Sequence, residues 1–374
     1  MTTAGFDGLR VALVAPLVTA IAEPQQGGAQ AFFADLAAGL TRRGLAVDVF
    51  ATSGSAIPGA HVVDTGVRAE DLAGALIQPG RPRQRVAALD DAYERVFAMV
   101  ADGDYDVVHS HGFDPAALRR ATAGRARVIH TIHLPPEREA AAALREARRS
   151  SPPAVVVGVS DSQARTWRSS VRFDRVIRIG VPVERIPWSL RPGRGLVFAG
   201  RFSPDKGAAE AVEIARLAGE PIDLFGAAYD EAYARDIRRR YTGDPAVSFH
   251  APLPRTVLWR HFAEARAVLC PSDVDESFGL VAAEAQATGT PVVAFARGAL
   301  PEVVEDGVTG VLVEPGDVRA AATAVARIGS IDRARCRAHA VEHLGLDACL
   351  TGYETLYAEV ATPTQRPDSV ARGA

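Results

Sequence analysis

The sequence is poor in cysteine and carries no excess of one charge. Only Cys270, Cys336 and Cys349 occur in 374 residues, and their irregular spacing excludes a disulfide framework and a cysteine-based zinc site. The 42 Lys and Arg residues and the 45 Asp and Glu residues leave a net charge of −3, which excludes a basic surface for nucleic acid. We therefore expect a cytoplasmic protein without a nucleic-acid partner.

Long apolar runs are missing as well. Val11–Ala22 resembles the core of a signal peptide, but only Arg10 precedes it as a basic residue and Pro16 interrupts it. The run is far shorter than the roughly 20 residues that a helix needs to cross a bilayer. We interpret Val11–Ala15 as a buried strand and expect no transmembrane segment; peripheral contact with a membrane stays open.

Neither half of the chain has the G-x-G-x-x-G fingerprint directly after its first strand, which argues against a redox enzyme. The length of 374 residues and the hydrophobic content of 48% fit two domains. Strand and helix signals alternate in both halves, starting at Val11–Ala15 and again at Leu196–Ala199. The order predicts two Rossmann-like α/β units with parallel sheets.

The stretch Cys270–Phe295 predicts a strand end, a loop, a helix and a second strand. Ser277 is the predicted N-cap of that helix. Glu276 then lies just before the helix and Glu284 about two turns into it. Helix amides donate hydrogen bonds to phosphate oxygens, and carboxylates accept hydrogen bonds from hydroxyl groups. This stretch therefore predicts a site for an anionic, polyhydroxylated ligand.

Two further turns are suited to phosphate. Arg201 and Lys206 flank the turn G-R-F-S-P-D-K-G between a predicted strand and a helix that begins near Ala208, where both cations can neutralise a pyrophosphate. In the first half, Gly27 and Gly28 precede a predicted helix and allow a phosphate to approach the backbone. Locally, a flexible loop explains the two glycines equally well.

Histidines close two strands of the first half. His109 and His111 are two residues apart at the end of a predicted strand, and a metal site is not expected there. His111 is the residue that we expect to line the cleft on the acceptor side. His133 ends the predicted strand Val128–His133, and a satisfied structural histidine is the alternative.

The segment PSDVDESFGLVAAEAQATGTPVVA, with Glu276 and Glu284 in an E-x7-E pair, resembles the retaining glycosyltransferases of family 4. The G-R-x4-K-G turn and Thr131-Ile132-His133 are similar to motifs of the same family. The resemblance implies the GT-B fold, in which two Rossmann-like domains face each other. It implies an acceptor-binding domain over 1–185, a nucleotide-sugar-binding domain over 186–345, a carboxy-terminal helix over 346–361 that packs back on the first domain, and a frayed tail over 362–374.

The resemblance also implies a reaction. A sugar would pass from a nucleotide-diphosphate sugar to a small-molecule, glycan or lipid-linked acceptor, with retained configuration, by a front-face route without metal or cofactor. The implied catalytic residues are His133, Arg201, Lys206 and Glu276. The implied donor-binding residues are Gly27, Gly28, Arg201, Lys206, Glu276, Ser277, Phe278, Gly279, Leu280 and Glu284. Among them, Glu276 would hold sugar hydroxyls and Glu284 the ribose hydroxyls, and the loop Gln78–Arg85 would take part in acceptor choice.

Other functions share these features. A nucleotide-sugar epimerase would need no acceptor. A disaccharide phosphorylase or synthase would be distinguished by dependence on inorganic phosphate, and a sugar-binding module would need no paired cations. Asp104–Asp106 and Asp273–Asp275 each form a D-x-D triplet, which holds a divalent ion in another glycosyltransferase fold. We expect neither to do so here, because Arg201 and Lys206 already supply positive charge.

Overall fold

The computed structural model describes residues 8–75, 87–191 and 193–361. The predicted tail at 362–374 and the loop Gln78–Arg85 lie outside these ranges. Within them, two separate parallel sheets, each accompanied by helices, confirm the prediction of two α/β units.

The first sheet has the spatial order β3-β2-β1-β4-β6-β7-β8, and β5 pairs with β6 in the antiparallel direction. All pairs along the main path are parallel. Its strands are β1 (Arg10–Val14), β2 (Ala46–Ala51), β3 (His61–Asp64), β4 (Val107–Ser110), β5 (Thr122–Ala123), β6 (Ala126–Thr131), β7 (Val155–Gly158) and β8 (Arg175–Val176).

The second sheet has the order β11-β10-β9-β12-β13-β14 and is parallel throughout. Its central strands are continuous apolar runs, as expected for a sheet covered on both faces. Its strands are β9 (Leu196–Ala199), β10 (Ile222–Phe225), β11 (Val247–His250), β12 (Ala267–Cys270), β13 (Val292–Phe295) and β14 (Gly310–Val313).

The helices cover the faces of the two sheets. Those of the first half are α1 (Gly28–Arg42), α2 (Ala87–Ala101), α3 (Pro115–Leu118), α4 (Arg138–Arg149) and α5 (Asp161–Trp167). Those of the second half are α6 (Ala208–Ala218), α7 (Glu231–Arg240), α8 (Arg255–Glu264), α9 (Leu280–Ala287), α10 (Leu300–Val303), α11 (Val318–Arg327), α12 (Arg333–His343) and α13 (Leu346–Val360).

The strand order reverses direction next to β1 in the first sheet and next to β9 in the second. In an open parallel sheet a crevice forms at this switch point, beyond the carboxyl ends of the strands. The crevice of the second sheet is therefore bordered by the segments after β9 and β12, which contain the predicted Arg201, Lys206 and Glu276.

The last helix, α13, packs on the first domain. The hydroxyl of Tyr357 lies 2.7 Å from Nδ1 of His109, and that of Tyr353 lies 2.8 Å from the hydroxyl of Thr131. All four side chains are buried. Because a buried polar group is costly without a partner, these bonds select one orientation of the helix on the sheet.

Candidate active site

The turn after β9 and the loop after β12 meet through an ion pair. Nζ of Lys206 donates to Oε1 of Glu276 at 2.6 Å, and Oγ of Ser272 donates to the same oxygen at 2.6 Å. Burial raises the pKa of Glu276, but the Lys206 ammonium and the two hydrogen bonds outweigh it and hold that pKa below its ordinary value. Glu276 is therefore an ionised acceptor at the mouth of the crevice.

Backbone geometry makes glycine necessary in the turn that carries Lys206. Gly207 has a φ of +74°, and a Cβ there would lie 2.0 Å from the carbonyl oxygen of Pro271. The turn after β9 thus packs directly on the loop after β12, which fixes the distance between Lys206 and Glu276.

Lys206 is the only lysine in the sequence, although the chain has 42 basic residues. Arginine therefore serves at every other basic position. An ammonium is a compact point charge, whereas a guanidinium is a planar fork. The single lysine stands where one charge must fit within 2.6 Å of a carboxylate oxygen.

Arg201 lies on the other side of the same turn. Its guanidinium stacks 4.3 Å from the ring centre of Tyr229, and its Nη2 donates to Asp205 at 3.3 Å. About a third of its side chain is exposed, so part of the guanidinium is open to a ligand. The structure places Arg201 and Lys206 on one turn, as the sequence predicted.

The helix of the E-x7-E segment begins later than predicted. Gly279, with a φ of +99°, precedes α9, and no side chain caps that helix. Ser277 is therefore not the N-cap; its hydroxyl donates to the carbonyl oxygen of His133 at 2.8 Å. This bond links the loop before α9 in the second domain to His133 of the first.

The starts of α1 and α9 face each other across the crevice. A Cβ on Gly28 would lie 3.8 Å from Cδ2 of Leu280, the first residue of α9. Gly27 is the extended N-cap residue of α1 and has no side chain. Two helix amino termini consequently converge near Lys206 and Glu276, which favours a bound anion.

Two histidines stack at the carboxyl ends of β4 and β6. Nδ1 of His111 lies 2.9 Å from Nε2 of His133, so one ring donates and the other accepts. Burial lowers the pKa of His133 to about 4; burial, with the neighbouring histidines, lowers the pKa of His111 well below its ordinary value. His111 has no exposed surface. Its predicted place on the cleft lining is therefore wrong; it supports His133 from behind.

One carboxylate oxygen of Glu284 is already bound by an arginine of the chain. Its Oε1 accepts from Nε of Arg255 at 2.8 Å and from Nη2 of Arg255 at 2.5 Å. Nη1 of Arg255 donates to Oδ2 of Asp35 on α1 at 2.7 Å. Neither Arg255 nor Asp35 was predicted from the sequence. The one available signal was the position of Arg255 after β11, beyond the carboxyl end of a parallel strand, where a crevice forms.

The second D-x-D triplet is occupied by a cation of the chain. Asp273 accepts from Nη1 of Arg297 at 2.6 Å, and Asp275 lies 3.4 Å from Nε of the same guanidinium. Among residues 8–75, 87–191 and 193–361, no three His, Cys, Asp or Glu side chains are arranged to hold a metal ion. Nor does any helix in these ranges have the length and apolar character needed to cross a membrane.

Comparison with known families identifies the chain. Residues 26–185 match the family described as Glycosyltransferase Family 4, and residues 193–330 match Glycosyl transferases group 1. The chain belongs to glycosyltransferase family 4. It is thus a glycosyltransferase, as predicted, and the matched ranges include both halves of the crevice.

Curated relatives of this family 4 enzyme cover most of its length. D-inositol 3-phosphate glycosyltransferase of Mycobacterium marinum is 32% identical, over 84% of this chain and 77% of that protein. The protein of the same name from Kribbella flavida is 31% identical, over 95% of this chain and 96% of that protein. The similarity therefore extends over both domains.

Solved structures confirm the predicted GT-B fold. AviGT4, a glycosyltransferase involved in avilamycin A biosynthesis, has a TM-score of 0.68 at 24% identity and covers 94% of this chain and 98% of its own. HepE of Anabaena, solved with UDP and glucose, has a TM-score of 0.73 at 18% identity and covers 93% of this chain and 99% of its own. At these identities the likeness establishes the shared fold.

Proposed function

We propose that the enzyme moves a sugar from a nucleoside-diphosphate sugar to an acceptor nucleophile with retention of configuration and without a metal ion. The observation that carries this proposal is the convergence of Lys206, Glu276 and the starts of α1 and α9 on one crevice. An activated sugar donor combines an anionic diphosphate with hydroxyls, and this crevice offers a partner for each part. The solved HepE complex with UDP and glucose supports a donor of this class.

Departure of the diphosphate accumulates negative charge on the β-phosphate while the sugar carbon becomes cationic. Lys206, Arg201 and helix amides would stabilise the leaving charge, and removal of one such preorganised donor costs roughly 2.7–4 kcal/mol where it has been measured. The bond between the anomeric carbon and the phosphate oxygen breaks, and the acceptor oxygen bonds to that carbon on the same face. The acceptor proton passes to the departing phosphate.

The carboxylate and the histidine would hold the sugar. Glu276 uses Oε1 for Lys206 and Ser272, so its other oxygen is the one to accept a sugar hydroxyl. His133 lies across the crevice and is held by His111 and Ser277. Because its pKa is lowered to about 4, His133 is neutral near pH 7 and would contribute a hydrogen bond rather than a charge.

The test combines substrate identification with matched variants. UDP-, GDP-, ADP- and dTDP-sugars are screened by thermal shift, because a ligand that binds the folded state raises its stability. The names of the curated relatives make D-inositol 3-phosphate the first acceptor to test. Lys206→Met and Glu276→Gln should each lower kcat by about 10²–10³-fold, whereas Arg235→Met on the outer face of α7 should not.

Two results would contradict the proposal. Near-normal transfer by both site variants would remove the crevice from the mechanism. Loss of activity in EDTA with recovery in Mn²⁺ would overturn metal independence. The anomeric configuration of the product, read by NMR, decides retention.

A further inference from the structure

Arg255 connects carboxylates of the two domains. It is the first residue of α8 in the second domain and only 8% exposed. Its guanidinium binds Asp35 on α1 of the first domain and Glu284 on α9 of the second. Its backbone amide donates to Oε2 of Glu23, in the segment before α1, at 3.1 Å.

Arg255 bonds to only one of the two carboxylate oxygens of Glu284. Both bonds from Arg255 go to Oε1, so Arg255 does not occupy Oε2. The guanidinium is itself held over the ring of Trp259 at 5.1 Å. Nε and Nη2 of Arg255 therefore orient the Glu284 carboxylate, while Nη1 is held by Asp35.

Charge balance ties the three residues together. The side chains of Arg255, Asp35 and Glu284 are 9%, 5% and 4% exposed. Burial opposes the charge on Arg255, but Glu284 and Asp35 outweigh it and raise the pKa of Arg255 above its ordinary value. If α1 moves away with the first domain, Arg255 loses Asp35 and Glu23 at once, and the position of Glu284 is no longer determined from both sides.

We propose that Arg255 is a positioning residue that couples closure of the two domains to the hold of Glu284 on the donor ribose. The proposal rests on the proposed function, because it assigns Oε2 of Glu284 to the ribose hydroxyls. The start of α1, which faces the donor phosphates, and the ribose carboxylate are then connected by one guanidinium. Glu284 is held in place to bind the ribose only when Asp35 of α1 contacts Arg255.

The test measures discrimination for the ribose hydroxyl. Dissociation constants are determined by calorimetry for UDP, GDP and ADP and for their 3′-deoxy counterparts. For the pair that binds best, the wild-type protein should favour the ribose form by about tenfold or more, as expected for a hydrogen bond to a charged group. Asp35→Asn, which keeps the shape of the side chain, should reduce that ratio to below about threefold, and Arg255→Lys should do the same.

Asp347→Asn is the matched control. Asp347 on α13 binds Arg43, the residue directly after α1, at 2.8 Å, but its side chain is 90% exposed and does not touch Arg255. This variant should keep the wild-type ratio. Circular dichroism and thermal melting check the fold of each protein, and Asp35→Asn alone decides the outcome if Arg255→Lys does not fold.

The outcomes separate the two proposals. If Asp35→Asn lowers thermal stability but keeps the wild-type ratio, Arg255 is a structural link and the coupling is wrong. If the wild-type protein binds a nucleoside diphosphate but does not discriminate against the 3′-deoxy form, Glu284 does not hold the ribose. If no nucleoside diphosphate binds at all, the proposed function itself fails.

Discussion

Lys206 is the one side chain of this protein that carries an amine, so amine-selective reagents can modify the site. It is the only lysine in the sequence, and about a fifth of its side chain is exposed beside Glu276. Reagents selective for amines therefore modify Lys206 and the amino terminus alone. One residue of the proposed mechanism can thus be labelled without mutation.

Reductive methylation with ¹³C-formaldehyde should yield a single lysine resonance and should inactivate the enzyme. Dimethylation keeps the positive charge but removes two of the three N–H donors and adds bulk, so we expect a loss of at least tenfold in kcat, about 1.4 kcal/mol. A bound donor should protect Lys206 from the reagent and shift its resonance. Full activity after complete methylation would show that the ammonium does not contact the leaving diphosphate.

Buried histidines predict a pH limit for stability. Burial lowers the pKa of His130 and of His133 to about 4, while the unfolded chain titrates near the ordinary value of 6.5. The unfolded state therefore binds more protons between those values, and stability falls as pH decreases from 6.5 to 4. Each histidine contributes up to about 3 kcal/mol to this loss; above pH 6.5 neither contributes a slope.

Urea unfolding at a series of pH values measures this dependence. His133→Asn should flatten the slope between pH 6.5 and 4, because a group that does not titrate replaces one that does. An equal slope in the wild-type protein and in His133→Asn would contradict the prediction.

At the level of elements, the turn between β9 and α6 depends on one glycine. Gly207 and Gly219 flank α6, and both have a left-handed φ, of +74° and +70°. A Cβ on Gly207 would meet the carbonyl oxygen of Pro271 at 2.0 Å, whereas a Cβ on Gly219 would have nothing within 4 Å. A substitution at Gly219 therefore tests backbone strain alone, whereas one at Gly207 adds a steric clash.

Gly219→Ala should lower the free energy of unfolding by about 1–2 kcal/mol, the cost of a left-handed non-glycine residue. Gly207→Ala should cost more than this and should also weaken donor binding at least tenfold, because the Lys206 turn must move away from the β12 loop. Urea unfolding and calorimetry measure the two effects. Equal stability and equal donor affinity in the two variants would mean that the turn tolerates the displacement.

At the scale of the whole molecule, contacts between the domains lie on several sides of the crevice. Glu302 on α10 accepts from the amides of Asp161 and Ser162, at the start of α5 in the first domain, at 3.1 and 2.5 Å. Arg165 and Arg178 of the first domain lie 3.4 and 3.7 Å from the same carboxylate. The Glu302 carboxylate therefore forms a second link between the domains, separate from Arg255.

Glu302→Gln should therefore favour an open arrangement of the two domains. The amide cannot neutralise the two guanidinium groups and supplies one acceptor oxygen in place of two. We expect a larger radius of gyration in small-angle scattering with bound nucleotide, and a higher KM for the donor. Glu359→Gln, which alters an exposed pair with Arg175, is the control and should change neither.

Local patterns were sufficient for many elements of the fold. Strand β9 has the predicted bounds, because an apolar run bounded by turn residues has few alternatives in a parallel sheet. Ser160 caps α5, with its hydroxyl accepting from the amide of Gln163. Ser277 does not cap α9, because Gly279 interrupts the backbone with a positive φ that Ser277 does not reveal.

By itself, then, the sequence determined the two α/β units and the family, because periodicity, glycine positions and charged turns act over a few residues. Only the tertiary structure decided which of the predicted side chains are buried and which charged groups pair with each other. Arg255 binds Asp35 and Glu284, which are 220 and 29 residues away along the chain, and His111 is covered by His133 and Phe33. Burial and ion pairing depend on distances between elements, and no spacing along the chain contains them.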